Sequence, residues 1–142
     1  MKHNFIRVIL ISVCLIFSIV HAYQSSSPEN ASVEIVGIED GEVYKSPINI
    51  EFVINNMEVV PAGTKKKNSG HHHLLLNLEN MPNLKAPLPS TQNIIHFGKA
   101  QKSTKLELKE GKHTIQLLFA DHLHIPHDPP VLSKKISIII KK

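Results

Sequence analysis

Three consecutive imidazoles, His71, His72 and His73, stand at the head of the apolar run Leu74-Leu75-Leu76. A second group, His122, His124 and His127, lies within Asp121-His122-Leu123-His124-Ile125-Pro126-His127-Asp128. Of the ten histidines, all but His3 and His21 fall between His71 and His127. Neutral imidazole binds copper, zinc and nickel well, and a carboxylate can complete or support such a set. Two clusters well apart in sequence suggest one site that folding brings together.

Read as a strand, residues 71–78 put His71 and His73 on one face, ~6–7 Å apart along the chain. His72, Leu74, Leu76 and Leu78 share the other, so His72 is either buried beside the leucines or turned into the site at the strand end. His124 and His127 sit either side of Pro126, whose ring restricts the loop. His96, just before Phe97-Gly98, offers a fifth imidazole. The expected metal ligands are therefore His71, His73, His96, His124 and His127, with His72, His122 and Asp121 in a second rank. Asp121 and Asp128 are suited to accept from ring N–H groups. Copper is the first choice of ion and zinc the next, because copper(II) heads the affinity order for nitrogen ligands. His113, beside a turn, reads as an ordinary surface residue. The alternative is a non-catalytic structural or partner-binding envelope domain whose histidines brace a loop through hydrogen bonds, with an envelope protein as partner.

Other chemistry finds little footing. The sequence has no Gly-x-Ser-x-Gly setting, no His-Glu-x-x-His helix and no glycine-rich phosphate loop. A three-histidine metal with an open position could activate water, but no general base with a substrate cleft stands out beside it, so hydrolysis stays an open possibility rather than the expected role.

The first residues read as a targeting device. Lys2 and Arg7 make a positive n-region, and Val8 to Val20 is almost wholly apolar but shorter than the ~20 residues needed to span a bilayer. Val20-His21-Ala22 fits a cleavage site, so residues 1–22 are expected to be a signal peptide cut between Ala22 and Tyr23. The product would be periplasmic or secreted, without a membrane span. The single cysteine, Cys14, falls in this leader, which leaves neither a disulfide nor a thiolate ligand for the rest. The 16 basic residues exceed the 12 acidic ones, but Lys2 and Arg7 also belong to the leader. The remaining near-balance gives no reason to expect nucleic acid as a partner.

The elements that must position the histidines carry strand signals. Residues 23–32 are rich in Ser, with Pro28, and read as a flexible lead-in to one domain over 33–142. Ile48, Ile50, Phe52 and Ile54 recur at every second position, the clearest β pattern in the chain. Ile115, Leu117 and Phe119 share a face, as do Ile136, Ile138 and Ile140. Residues 104–109 and 112–120, joined through Glu110-Gly111, read as a hairpin. Pro82, Pro87 and Pro89 make residues 80–90 a loop. No helical period is sustained. The fold class expected is all-β, an immunoglobulin-like antiparallel β-sandwich of about seven strands.

Several runs carry a family resemblance: Pro61-Ala62-Gly63, Asn68-Ser69-Gly70-His71-His72-His73-Leu74-Leu75, His96-Phe97-Gly98-Lys99-Ala100-Gln101, Gly111-Lys112-His113-Thr114-Ile115-Gln116-Leu117-Leu118 and His124-Ile125-Pro126-His127-Asp128-Pro129-Pro130-Val131. Together they resemble the bacterial exported family called domain of unknown function 4399, from about Val33 to Ile140. The resemblance implies export and assigns no function.

Overall fold

The computed structural model describes residues 24–142, so the expected leader and its cleavage site lie outside the described residues. Ten strands follow one another along the described chain: β1 (Ser32–Val36), β2 (Val43–Lys45), β3 (Ile48–Asn55), β4 (Glu58–Val59), β5 (Ser69–Leu76), β6 (Ile94–Phe97), β7 (Ser103–Leu106), β8 (Gly111–Ala120), β9 (Pro126–Leu132) and β10 (Ile136–Lys141). No described residue is helical, so among the described residues no helix is long and apolar enough to cross a membrane.

The period-two pattern settles which face of β3 is buried. In β3, Ile48, Ile50 and Phe52 are buried while Asn49, Glu51 and Val53 face outward. This strand lies between β1 and β7, antiparallel to both, in a three-stranded sheet. The other seven strands form a second sheet in the order β2-β10-β8-β5-β4, with β6 also on β5 and β9 also on β8. Most pairs are antiparallel; the short β2–β10 and β4–β5 pairs are parallel. Between the sheets, Ile50 and Phe52 meet Leu74, Ile115, Leu117, Phe119 and Ile138 in one apolar core, with Leu76 packed at its margin. The all-β sandwich is thus present, with more strands than expected.

The differences have physical reasons. The expected hairpin of residues 104–109 and 112–120 does not form: β7 pairs with β3, so the chain crosses from one sheet to the other before β8. Alternation fixes the face a strand buries, not the strand it pairs with. β9 arises from the proline-rich histidine loop. Pro126, Pro129 and Pro130 are tolerated there because, among the described residues, β8 is its one strand partner and its other edge meets only an isolated bridge from Ser26 to Asp128. Residues of the lead-in are hydrogen-bonded to β9. Ser27 N–H donates to the Asp128 carbonyl (3.1 Å) and Asp128 N–H to the Ser25 carbonyl (3.0 Å).

One feature of the larger sheet matters for chemistry. Its outer face is also covered: Leu75, Ile94, Leu118 and Ala120 pack with Leu88 from the loop 77–93 into a second apolar cluster. Consequently β5 is buried on both faces from Ser69 to Leu75. Side chains that a two-layer sandwich would leave in water are enclosed.

Candidate metal centre

Gly70 opens the histidine strand for a steric reason. A Cβ there would lie 2.2 Å from the Ala120 carbonyl oxygen and 2.9 Å from the Phe119 ring. Only glycine lets β5 approach β8 this closely. The next residues then alternate. His72 points into the core, its ring centroid 5.1 Å from Phe52 and 5.0 Å from Phe119. His71 and His73 point to the outer face with ring centroids 4.8 Å apart.

His96 joins them from β6, directly opposite His73 in the antiparallel register. Its ring centroid is 5.1 Å from His73 and 4.9 Å from His71. The ligating atoms of His71, His73 and His96 all lie within 4.8 Å of one another. Bonds of ~2.0–2.1 Å to a shared tetrahedral ion would hold imidazole nitrogens ~3.3–3.4 Å apart, so the rings would draw together on binding. His124, from the loop between β8 and β9, completes the group at 4.8 Å from His71, 4.7 Å from His96 and 5.9 Å from His73.

The enclosure gives these rings their electrostatic character. His71 and His73 are 0% and 1% exposed. Burial, then repulsion from the imidazoles of His124 and His96, pushes His71 down from the ordinary 6.5 to about 4; nearby Asp121 opposes this. Burial followed by repulsion from His71, His96 and His124 pushes His73 down to about 3. His96 is lowered by burial and by His124. At neutral pH these rings are therefore neutral, the form that ligates metal. Both ring nitrogens of His71 and His73, and Nε2 of His96, are buried with no hydrogen-bond partner among the described residues. Orphaned polar atoms of this kind cost ~1–3 kcal/mol each in a folded protein. These three rings can each turn one nitrogen toward a common point, a nitrogen-rich site suited to a cation.

A pocket of about 190 Å³ leads to the cluster, lined by His73, His96 and His124 with Pro87, Leu88 and Ser90. His71 lies outside that lining, so it forms the back of the group. Two larger clefts, of about 500 and 610 Å³, are lined by other residues and contain none of the four clustered imidazoles.

The remaining histidines are placed elsewhere. His127 stacks on Phe119 at 5.9 Å, its Nδ1 facing the Phe119 carbonyl at 3.5 Å, and makes no ring contact with the four. Burial lowers its pKa, opposed by the Phe119 backbone, Asp121 and the Ser69 backbone. His72 is separated from the cluster by the strand itself. His122 is half-buried, with its carbonyl accepting from Gly63 N–H at 3.2 Å. His113 accepts from the Asn77 amide at 3.0 Å and donates to the Lys109 carbonyl at 2.8 Å, a local strand-end arrangement. Asp121 is buried at 2% exposure, and its carboxylate serves a hydroxyl and backbone N–H groups of its own loop rather than an imidazole.

Residues that sequence reasoning passed over also shape the centre. A Cβ on Gly98 would lie 2.4 Å from His96 Cε1 and 2.7 Å from Nε2, so this glycine makes room for the ring. Its spacing, two residues after His96, was a visible signal. Ser90 and Leu88 in the pocket wall carried none.

The fold and the cluster together define a small β-sandwich domain with histidines close enough to hold a metal ion. The chain belongs to the family described as Domain of unknown function (DUF4399), whose model matches residues 50–141. No curated protein and no solved structure matches it.

Proposed function

We propose that this domain binds one divalent transition-metal ion, copper before zinc, through His71, His73, His96 and His124. The observation that carries the reading is the gathering of His71, His73 and His96, whose ligating atoms lie within 4.8 Å of one another and whose buried nitrogens lack protein partners. A bracing network would require well-formed hydrogen bonds from those nitrogens, and only a weak approach of His73 to the His71 backbone is seen among the described residues. The donor set is all nitrogen, which favours copper(II) in the affinity order and suits zinc as well. The pocket at His73, His96 and His124 gives the ion a way in and out. Together with the leader-like residues 1–22, it supports a role in metal binding, buffering or delivery in the cell envelope, as a periplasmic or secreted protein.

The deciding experiment is metal analysis of untagged protein followed by copper and zinc titration of wild type and the His71→Ala/His124→Ala double variant. One tight equivalent in wild type, lost in the variant, is the expected result. Equal and weak binding by both proteins would overturn the reading.

A further inference from the structure

We propose that Ser25 and Asp121 are positioning residues that hold His124 in the metal site, the N-terminal segment clasping the two walls of its pocket. This rests on the metal-binding reading above. His124 has a left-handed backbone, with φ of 65°, a conformation uncommon in non-glycine residues.

Asp121 constrains that conformation. Its Oδ1 accepts from Leu123 N–H at 2.9 Å and Ile125 N–H at 3.1 Å. Its backbone N–H donates to the Ile125 carbonyl, and its carbonyl accepts from His124 N–H, both at 2.9 Å. The loop that presents the imidazole is therefore wrapped around this one buried side chain.

Asp121 is in turn fixed from the N-terminal segment. Ser25 Oγ donates to Asp121 Oδ2 at 2.7 Å. The neighbouring Gln24 amide donates to the Leu84 carbonyl at 2.9 Å and the Pro126 carbonyl at 3.1 Å. Leu84 belongs to the loop that supplies Pro87, Leu88 and Ser90 to the pocket, and Pro126 ends the loop that supplies His124. Leu88 N–H donates to the His124 carbonyl at 2.9 Å, closing the same two walls directly. His71, His73 and His96 stand on β5 and β6 and need no such tie. His124 alone depends on loop geometry.

The test uses the full untagged chain and copper(II). Affinity is read by competition with a chelator, and the number of bound imidazole nitrogens by electron paramagnetic resonance. Ser25→Ala should weaken binding about tenfold to a hundredfold, the usual effect of removing a group that orients a ligand, and should delete one nitrogen from the count. Ser25→Thr should restore both. Ser27→Ala, which removes a 2.7 Å bond to the Pro129 carbonyl on the same segment, should change neither. Adding Ser25→Ala to His124→Ala should cause no further loss, since Ser25 acts through His124. Wild-type affinity and nitrogen count in Ser25→Ala, or an equal loss in both backgrounds, would overturn the clasp while leaving the site. Absence of copper binding by wild type would overturn the site and the clasp together.

Discussion

His73 and His96 face each other across the antiparallel β5–β6 pair, with ring centroids 5.1 Å apart and a 30° interplanar angle. Strand pairing, not loop placement, brings them together, so their separation is as rigid as the sheet. His71 shares the face two residues away, and the three form the fixed part of the cluster.

Acid should destabilise the metal-free protein well before the carboxylates titrate. His71 and His72 are pushed down to about 4 and His73 to about 3, in each case chiefly by burial. The unfolded chain takes up protons near 6.5, whereas the folded rings stay neutral. The stability they contribute is complete above ~6.5 and is lost as pH falls toward their folded values. With three rings involved, the slope should approach about 4 kcal/mol per pH unit near pH 5. Urea unfolding at several pH values measures it, and a flat profile between pH 7 and 5 would contradict the burial.

Metal should raise the melting temperature according to free ion over dissociation constant, by about 2.7 kcal/mol of stability at a hundredfold excess. The depressed imidazoles add a second expectation. An exposed histidine site loses affinity below ~6.5, whereas His71 and His73, pushed down to about 4 and about 3, should still be able to ligate at pH 5.5. Copper titration at pH 7 and 5.5 checks this.

Gly98→Ala should impair copper binding more than folding. The added methyl would lie 2.4 Å from His96 Cε1, so the ring must swing away. An affinity loss of at least about tenfold, with the melting temperature changed by only a few degrees, is expected. Unchanged affinity would remove His96 from the ligand set.

His72→Leu should leave metal binding intact and cost little stability, or increase it. Both nitrogens of His72 are buried without partners, between the Phe52 and Phe119 rings. Replacing an unsatisfied polar group with an apolar one of similar size removes a desolvation penalty. Loss of copper affinity equal to that of His73→Leu would mean that both faces of β5 serve the site.

Phe119→Ala should destabilise the fold by about 3–5 kcal/mol, since this 0%-exposed ring lies at the centre of the core. Denaturant unfolding reads the change. A loss under about 1 kcal/mol would mean that β8 buries its other face more firmly.

The faces of the strands were legible in the chain because a period of two is a local property. Ile50, Phe52, Leu74, Ile115, Leu117, Phe119 and Ile138 line the core as their alternation implied, and His71 and His73 project together from the opposite face. Partners were not legible, because pairing is decided by packing across long separations. Nothing local distinguishes a β7 that turns back onto β8 from one that crosses to β3. The same limit divided the second histidine cluster. His124 and His127 are three residues apart, yet the left-handed turn at His124 and the start of β9 send one ring to His71 and the other onto Phe119. Burial of the centre was likewise a tertiary decision. The cover supplied by the loop 77–93 encloses the outer face of β5, and that enclosure leaves its imidazoles neutral and unpaired. The sequence alone determined that imidazoles would gather on one strand face; the fold decided which of them meet, and that His71 and His73 are buried at that meeting point.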